Sequence, residues 1–276
     1  MNTIVRFTEQ VVSLAESYCA DADEPAAPEG GGQFAEYAMV SLHCLRVFFD
    51  HTYAMVIDAV ELMPAICREI GLEPGEVPAP STLCKWFDRL TIDVWRVLLR
   101  HSGQLHAPSG TVAIDATYFK RDRASHHYRR RTGYTIRTLE ATALVDTDTQ
   151  AILDVHCTMT REGSDVDVCR RLARRNVDET AILTADKGYD SIPLRERLRE
   201  LGIRPIIKHR LQAPHDYAHN ARLDDDLYGQ RAISETAFSV LKRTLGETLR
   251  ARSWYREFRE TILMCVVYNI KRAIKQ

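Results

Sequence analysis

Two aspartates stand where an ionised side chain is expensive. Asp115 lies in the run VAIDAT and Asp186 in ILTADKGYD, each at or near the end of an apolar, β-branched stretch. A carboxylate carried into such a segment must be paired, protonated or bound to metal. One such residue can be local capping chemistry, and Lys187-Gly188 after Asp186 reads as a turn. Two ask for a shared cause, because ligands of open α/β sheets collect at strand ends.

A third carboxylate comes from YGQRAISETAFSVLKR. At 100° per residue, with Arg231 at zero, Glu235 falls at about 40°, Lys242 at about 20° and Tyr228 at about 60°. These four polar side chains share one narrow stripe, although Tyr228 precedes the first turn and its angle is the least secure. Ile233, Val240 and Leu241 fall on the side that would pack against a sheet. A solvated charged stripe would carry several exchangeable Lys and Glu; this one carries one of each, with Arg and Tyr.

Three carboxylates gathered within about 4 Å would repel by roughly 4 kcal/mol per ionised pair at an effective dielectric near 20. Asp115, Asp186 and Glu235 therefore call for a cation. Hard oxygen donors suit Mg²⁺, with Mn²⁺ able to substitute, and two such ions drive in-line attack on a phosphodiester. Arg231, Lys242 and Tyr228 would then hold DNA phosphates beside the metals.

The elements that must position these groups are legible in outline. Apolar spacing is helical up to about residue 104, with DADEPAAPEGGG as a loop and a break from Gly71 to Pro80. Ser81 suits the N-cap of a helix that runs from STLCKWFDRL toward IDVWRVLLRH, and two helices around such a turn would allow a helix-turn-helix reader with Lys85 on its second helix. From TVAIDATYF onward the pattern is strands: YTIRTLEATALV and AILDVHCTM follow, with Asp146-Thr-Asp-Thr as the turn between them. Ser164 then caps a helix, AILTADKGYD is a fourth strand, SIPLRERLREL a helix and IRPIIKHR a fifth strand. Residues 211–230 read as a loop or small insertion, and a long helical region begins near Arg231. A meander followed by alternating helices and strands describes a mixed α/β sheet with helices on its faces.

Composition sets the outer bounds. The 276 residues are 45% hydrophobic and 27% charged, ordinary for globular domains, and the net charge of −1 argues at first against a polyanionic partner. The average hides a split. Residues 1–110 carry 7 Lys/Arg against 15 Asp/Glu, and the remainder 30 against 23. Two basic clusters lie in that remainder: Lys120 to Arg137, with Arg129, Arg130 and Arg131 in succession, and the tail from Lys242. Charge acts locally once salt screens beyond about 10 Å, so either cluster can serve a polyanion. Trp254 and Tyr255, flanked by Arg252 and Arg256, suit either packing or stacking on an unpaired base. The 7 cysteines are odd in number and never spaced Cys-x-x-Cys, which fits small core residues better than disulfides or structural zinc. His126-His127 read as loop residues. No Gly-rich phosphate loop, His-Glu-x-x-His or Gly-x-Ser-x-Gly elbow occurs, nor a run of about 18 apolar residues, and a cytoplasmic protein is expected.

With these residues in place, the chain resembles the DDE transposases of prokaryotic insertion sequences, in the insertion-sequence-four group and of the insertion-sequence-five type. The Tyr-Arg-Glu-Lys motif of that group asks for Tyr, two residues, Arg, three residues, Glu, six residues and Lys; Tyr228, Arg231, Glu235 and Lys242 meet every spacing. IDAT around Asp115 and ADKGYDS around Asp186 look like the family's two Asp motifs. The resemblance implies an α/β, ribonuclease H-like mixed sheet flanked by helices over 109–276, with an all-helical N-terminal region over 1–108 that is a candidate for DNA-end binding. It further implies that Asp115 bridges two Mg²⁺ ions, that Asp186 and Glu235 each hold one, and that Tyr228, Arg231 and Lys242 contact the phosphates of the element's end. Arg129, Arg130 and Arg131 are added as DNA-binding residues from the charge pattern alone. The implied reaction is cleavage of double-stranded DNA at the element's terminal inverted repeats and strand transfer into target DNA, by a homodimer in the synaptic complex. Two other readings remain open on the sequence: a non-catalytic DNA-binding protein derived from a transposase, and a host nuclease on the same fold. The short 211–227 segment departs from relatives with a large β-rich insertion there, which leaves the fate of the second strand open.

Overall fold

A computed structural model describes residues 2–28, 32–121, 126–133, 135, 137–159 and 164–275. Asp122, Arg123, Tyr134 and Ile136, and Gly30 and Gly31 of the first loop, lie outside the described residues. Contacts divide the chain into two units, residues 1–105 with 262–276, and residues 106–261. A single boundary at 108/109 therefore misses the C-terminal stretch, which packs with the N-terminal helices.

The first unit holds α1 (Thr3–Glu16), α2 (Glu36–Phe48), α3 (Tyr53–Glu61), α4 (Pro64–Ile70), α5 (Pro80–Arg89) and α6 (Ile92–Gln104). Residues Tyr37 to Leu45 contain no charge, so α2 can be buried on every side, and Ala38, Met39, Leu42, Cys44 and Leu45 are fully enclosed. Each such Leu or Met contributes about 1.5–3 kcal/mol on leaving water. Arg46 at its end is buried against the rings of Tyr53 and Phe87, 4.9 and 5.8 Å from their centroids. Gly71 ends α4 at φ +82, where a Cβ would stand 3.2 Å from that of Ala26. Ser81 is not a cap: Pro80 takes the first helical position behind Ala79, with fixed φ in place of a capping oxygen. The helix expected across 81–100 breaks in two, because Leu90 turns inward in extended conformation and Thr91 begins α6 with Asp93 in its first turn.

The second unit is built on β1 (Thr111–Lys120), β2 (Thr138–Asp146), β3 (Ile152–Thr158), β4 (Ile182–Ala185) and β5 (Arg204–Ile207), in the order β3-β2-β1-β4-β5. β1 is antiparallel to β2 and parallel to β4, and β4 is parallel to β5. This is the expected ribonuclease H-like mixed sheet flanked by helices. Of the run YTIRTL, Thr138 and Leu139 open β2, while Tyr134 and Ile136 lie outside the described residues. A short helix, α7 (His126–Thr132), lies where a loop was expected for His126-His127, and it carries Arg129, Arg130 and Arg131, all exposed.

Alternation along β1 decides what each face does. Val112 and Ile114 join Leu144, Leu172, Leu183 and Leu198 in the core shared with α8 (Asp165–Arg175) and α9 (Ile192–Glu200). Ser164 caps α8 as expected, accepting from the Asp167 amide. Ala113, Asp115 and Thr117 face the other way, opposite Val145, Ala143 and Ala141 of β2. The small alanines leave room for a helix, and α12 (Ala232–Leu245) packs there against β1 and β2.

Residues 211–230 form two helices, α10 (Pro214–Arg222) and α11 (Asp225–Gly229), rather than a loop. Pro214 opens α10 with Asp216 accepting from the amides of Gln212 and Ala213, and Asp224 caps α11 by accepting from Asp226 and Leu227. The helical region from Arg231 is also interrupted. α12 ends at Gly246, φ +90, and residues 247–249 run alongside the end of β1 before α13 (Trp254–Ala273) begins. All 7 cysteines are free thiols, and all but Cys84 are buried. No helix of the described residues is long and apolar enough to cross a membrane.

Candidate active site

The sheet reverses its winding between β1 and β4, since the chain builds outward from β1 to β3 on one side and from β4 to β5 on the other. Ligand sites of open sheets form at such a reversal, beyond the carboxyl end of a strand. β4 pairs with β1 only at Thr111, Val112 and Ala113, with Thr184 opposite Ala113. Asp186 directly follows the end of β4, and its charge acts on Asp115 of the neighbouring strand.

Asp115 is about half-buried, and its carboxyl is pushed up to about 6, first by burial and then by the negative charges of Glu235, Asp186 and Asp165, against an opposing hydrogen bond from the Ala116 amide. Burial likewise pushes up the phenol of Tyr189, a core residue that also feels Cys169, Asp165, Asp115 and Asp186. Glu235 projects from the first turn of α12, where the helix dipole favours a negative charge. Among the described residues, no three acidic, His or Cys side chains are close enough together to hold a metal ion as they stand. The three carboxylates instead share an electrostatic neighbourhood that holds excess negative charge. Their donor set, oxygen only, fits a hard divalent cation.

Asp186 supplies the capping chemistry that its sequence context allowed. It caps the single-turn helix Lys187–Tyr189, its Oδ1 accepting from the Gly188 amide at 2.7 Å, which leaves Oδ2 uncommitted to that turn. A Cβ at Gly188 would sit 2.7 Å from the same Oδ1. Arg210 holds this turn from outside, donating through Nε to the Lys187 carbonyl at 3.0 Å and through Nη2 to that of Gly188 at 3.1 Å. Its own amide donates to Asp190, which is in turn bonded by Arg195. Arg210 has no sequence signature, because it sits just past an unremarkable strand end and acts through backbone carbonyls. Asp165, in the first turn of α8, acts on Asp115 by its charge and likewise carries no sequence signature.

Lys242 is tied to β1, its Nζ donating to Thr117 Oγ1 at 2.5 Å and to the Tyr118 carbonyl at 2.9 Å. Tyr228 is corrected relative to the helical wheel: it belongs to α11, is only 8% exposed, and so displays little surface. Its ring is flanked by two cations, Arg231 Cζ at 4.4 Å and Lys208 Nζ at 4.5 Å from its centroid. The structure puts Asp115 within electrostatic reach of Glu235 and Asp186, ties Lys242 further along β1, sets Arg231 one turn before Glu235, and carries Arg129, Arg130 and Arg131 on α7.

The model of the family described as Transposase DDE domain matches residues 106–270. The fold is similar to that in the cryo-EM structure of the piggyBac transposase synaptic complex with hairpin DNA, at TM-score 0.51 and 9% identity, over 98% of this chain and 74% of that one. A match to the Mos1 transposase paired-end complex with left transposon end has TM-score 0.24 and 10% identity, over 79% and 82% of the two chains. A search of curated proteins gave no match.

Proposed function

The chain belongs to the transposase DDE-domain family and is a DNA transposase, an enzyme of DNA cleavage and strand transfer; from that premise we propose that Asp115, Asp186 and Glu235 are its metal-holding carboxylates. The observation that carries this reading is the lifted carboxyl of Asp115, which burial and the charges of Glu235 and Asp186 leave in want of a cation. Asp115, Asp186 and Glu235 would hold two Mg²⁺ ions, or Mn²⁺ in their place, through oxygen-only donors that suit a hard divalent cation. When bound, such ions act as Lewis acids on the scissile phosphate.

The remaining chemistry belongs to the chain. Lys242, fixed by Thr117 and the Tyr118 carbonyl, presents its charge beside the strand that carries Asp115. Arg231 is held over the Tyr228 ring, so the Tyr orients a phosphate-binding guanidinium more than it touches DNA itself. We assign the chain to the insertion-sequence-four group and the insertion-sequence-five type on the Tyr228, Arg231, Glu235, Lys242 spacing. Its substrates are then double-stranded DNA at the element's terminal inverted repeats and a target duplex, handled by a homodimer that pairs two ends in association with the nucleoid. The helical N-terminal region is assigned to the DNA end. Arg129, Arg130 and Arg131 serve as exposed phosphate contacts.

Purified protein is expected to nick DNA bearing the element's ends only with Mg²⁺ or Mn²⁺, and Glu235→Gln to abolish nicking while leaving binding intact. Cleavage in chelator, or an unaffected variant, would overturn the assignment. A second test addresses the turn that holds Asp186. Gly188→Ala forces its Cβ against Oδ1, and displacing a reacting group by about 1 Å costs on the order of 100-fold in rate. Cleavage should fall and the Mg²⁺ requirement rise, with little change in melting temperature. Arg210→Ala should shift the Mg²⁺ requirement in the same direction, and Arg210→Lys should restore part of it; an Mg²⁺ titration of the cleavage rate decides.

A further inference from the structure

Two basic clusters far apart in sequence meet at the end of β1. Arg121 and Arg137 come from the first, Arg250 and Arg252 from the second, and together they line a cleft of about 520 Å³. Backbone pairing sets the arrangement: the Arg121 amide donates to the Arg137 carbonyl, the Lys120 amide to that of Glu247, and the Leu249 amide to that of Lys120. The edge of β1 that β4 leaves open is thereby taken over by residues 247–249, which deliver Arg250 and Arg252 beside Arg121. Among the described residues, the carboxylate that lines the cleft is Glu257, 1% exposed and bonded to Arg121 at 2.9 Å. Glu260 accepts from the amides of Arg250 and Ala251, so the cleft presents guanidinium groups rather than backbone amides. Four arginines thus converge on one open cleft, a lining whose chemistry suits the phosphates of a polyanion.

Distance along the strand indicates how that polyanion lies. Arg121 follows Asp115 by six residues of extended chain, about 20 Å at roughly 3.3 Å per residue. Lys242 is bonded between them, at Thr117 and Tyr118. A DNA strand advances about 3.4 Å per base pair, so the same span is about six base pairs. We propose that the Arg121, Arg137, Arg250, Arg252 cleft binds the sugar-phosphate backbone of duplex DNA about six base pairs from the phosphodiester held at Asp115. Arg137 and Arg252 are exposed contacts, and Arg121 is a wall fixed by Glu257. The proposal rests on the carboxylate site being the site of cleavage, and it adds a second, separate anchor.

The test measures binding of the full-length protein to a fluorescent duplex of arbitrary sequence across a series of salt concentrations. Each phosphate contact contributes about 0.9 to the slope of log affinity against log salt, so Arg137→Ala/Arg252→Ala should lower the slope by about 1.8. Affinity at moderate salt should fall at least about tenfold, and Arg137→Lys/Arg252→Lys should keep the wild-type slope. With DNA carrying the element's end, an uncharged methylphosphonate about six base pairs from the cut should weaken wild type and leave the double Ala variant unchanged. An unchanged salt slope, or a methylphosphonate effect that persists in the double variant, would overturn the proposal. Asp115→Asn serves as the separating control: if it still cleaves, the carboxylate assignment fails, whereas the salt slopes judge the cleft alone.

Discussion

Asp115→Asn is expected to lose DNA cleavage by on the order of 1000-fold or more and, without metal, to melt at a higher temperature than the wild type. The two effects share one cause. Asp115 titrates at about 6 in the folded chain against an ordinary value of 3.8, so the native state holds its proton more tightly than the unfolded state does. Stability from this group is complete below about pH 4 and is lost as pH rises toward 6; above that the full cost of the ionised carboxylate is present. Asn carries no such cost. In chelator at pH 7.5 the variant should therefore melt higher, with the gap closing as pH falls toward 4. Adding Mg²⁺ stabilises only a protein that binds it, so the order should reverse in the wild type's favour. Thermal scans with and without Mg²⁺, beside a cleavage assay, check all three. A variant that melts lower in chelator would show that Asp115 stabilises the fold, and a metal centre would lose its main support.

That trade between stability and activity explains why the carboxylates were legible from sequence. Asp115 and Asp186 broke the local rule for an apolar strand, and positions that break such rules are where function is expected. The sheet was legible because each strand is bounded by turn chemistry, and the Ser164 cap was read correctly from its hydroxyl three residues ahead of the Asp167 amide. The failures share a different origin. Pro214 and Asp216 are helix-start signals, as is Asp224, yet their polar surroundings made 211–230 look like a loop. Periodicity cannot register helices of nine and five residues that bury so little.

Tertiary placement was the other blind spot. The Tyr228, Arg231, Glu235, Lys242 spacing was visible, but a wheel drawn through all four assumed one helix, and Gln230 separates α11 from α12. Arg210 was invisible because its partners are backbone carbonyls 22 and 23 residues away. The acid and base content was also misleading until it was placed in space. Lys120 to Arg137 and the tail from Lys242 stand in the sequence as two separate basic clusters, and the pairing of Lys120 with Thr248 makes them walls of one cleft.

Within that cleft, Glu257→Gln should lower the melting temperature while tightening DNA binding. Glu257 and Arg121 are 1% and 12% exposed, so the pair is nearly removed from water. Gln keeps the shape and one acceptor but removes the charge that offsets the guanidinium. Losing the charged partner of such a hydrogen bond costs about 2–3 kcal/mol, roughly 4–12 °C in a unit of this size. Stability of a folded domain is typically about 5–15 kcal/mol, so the variant should remain folded at 25 °C and can be assayed for binding. There the second effect appears: with the Glu257 carboxylate neutralised, the cleft gains one positive charge, and the salt slope for duplex DNA should steepen by up to about 0.9. Adding Arg121→Leu to Glu257→Gln removes the stranded cation and should recover part of the lost melting temperature, while the slope returns toward wild type. If Glu257→Gln instead weakens DNA binding at 25 °C with its fold intact, Glu257 would be orienting Arg121 toward the phosphates rather than withholding it from them.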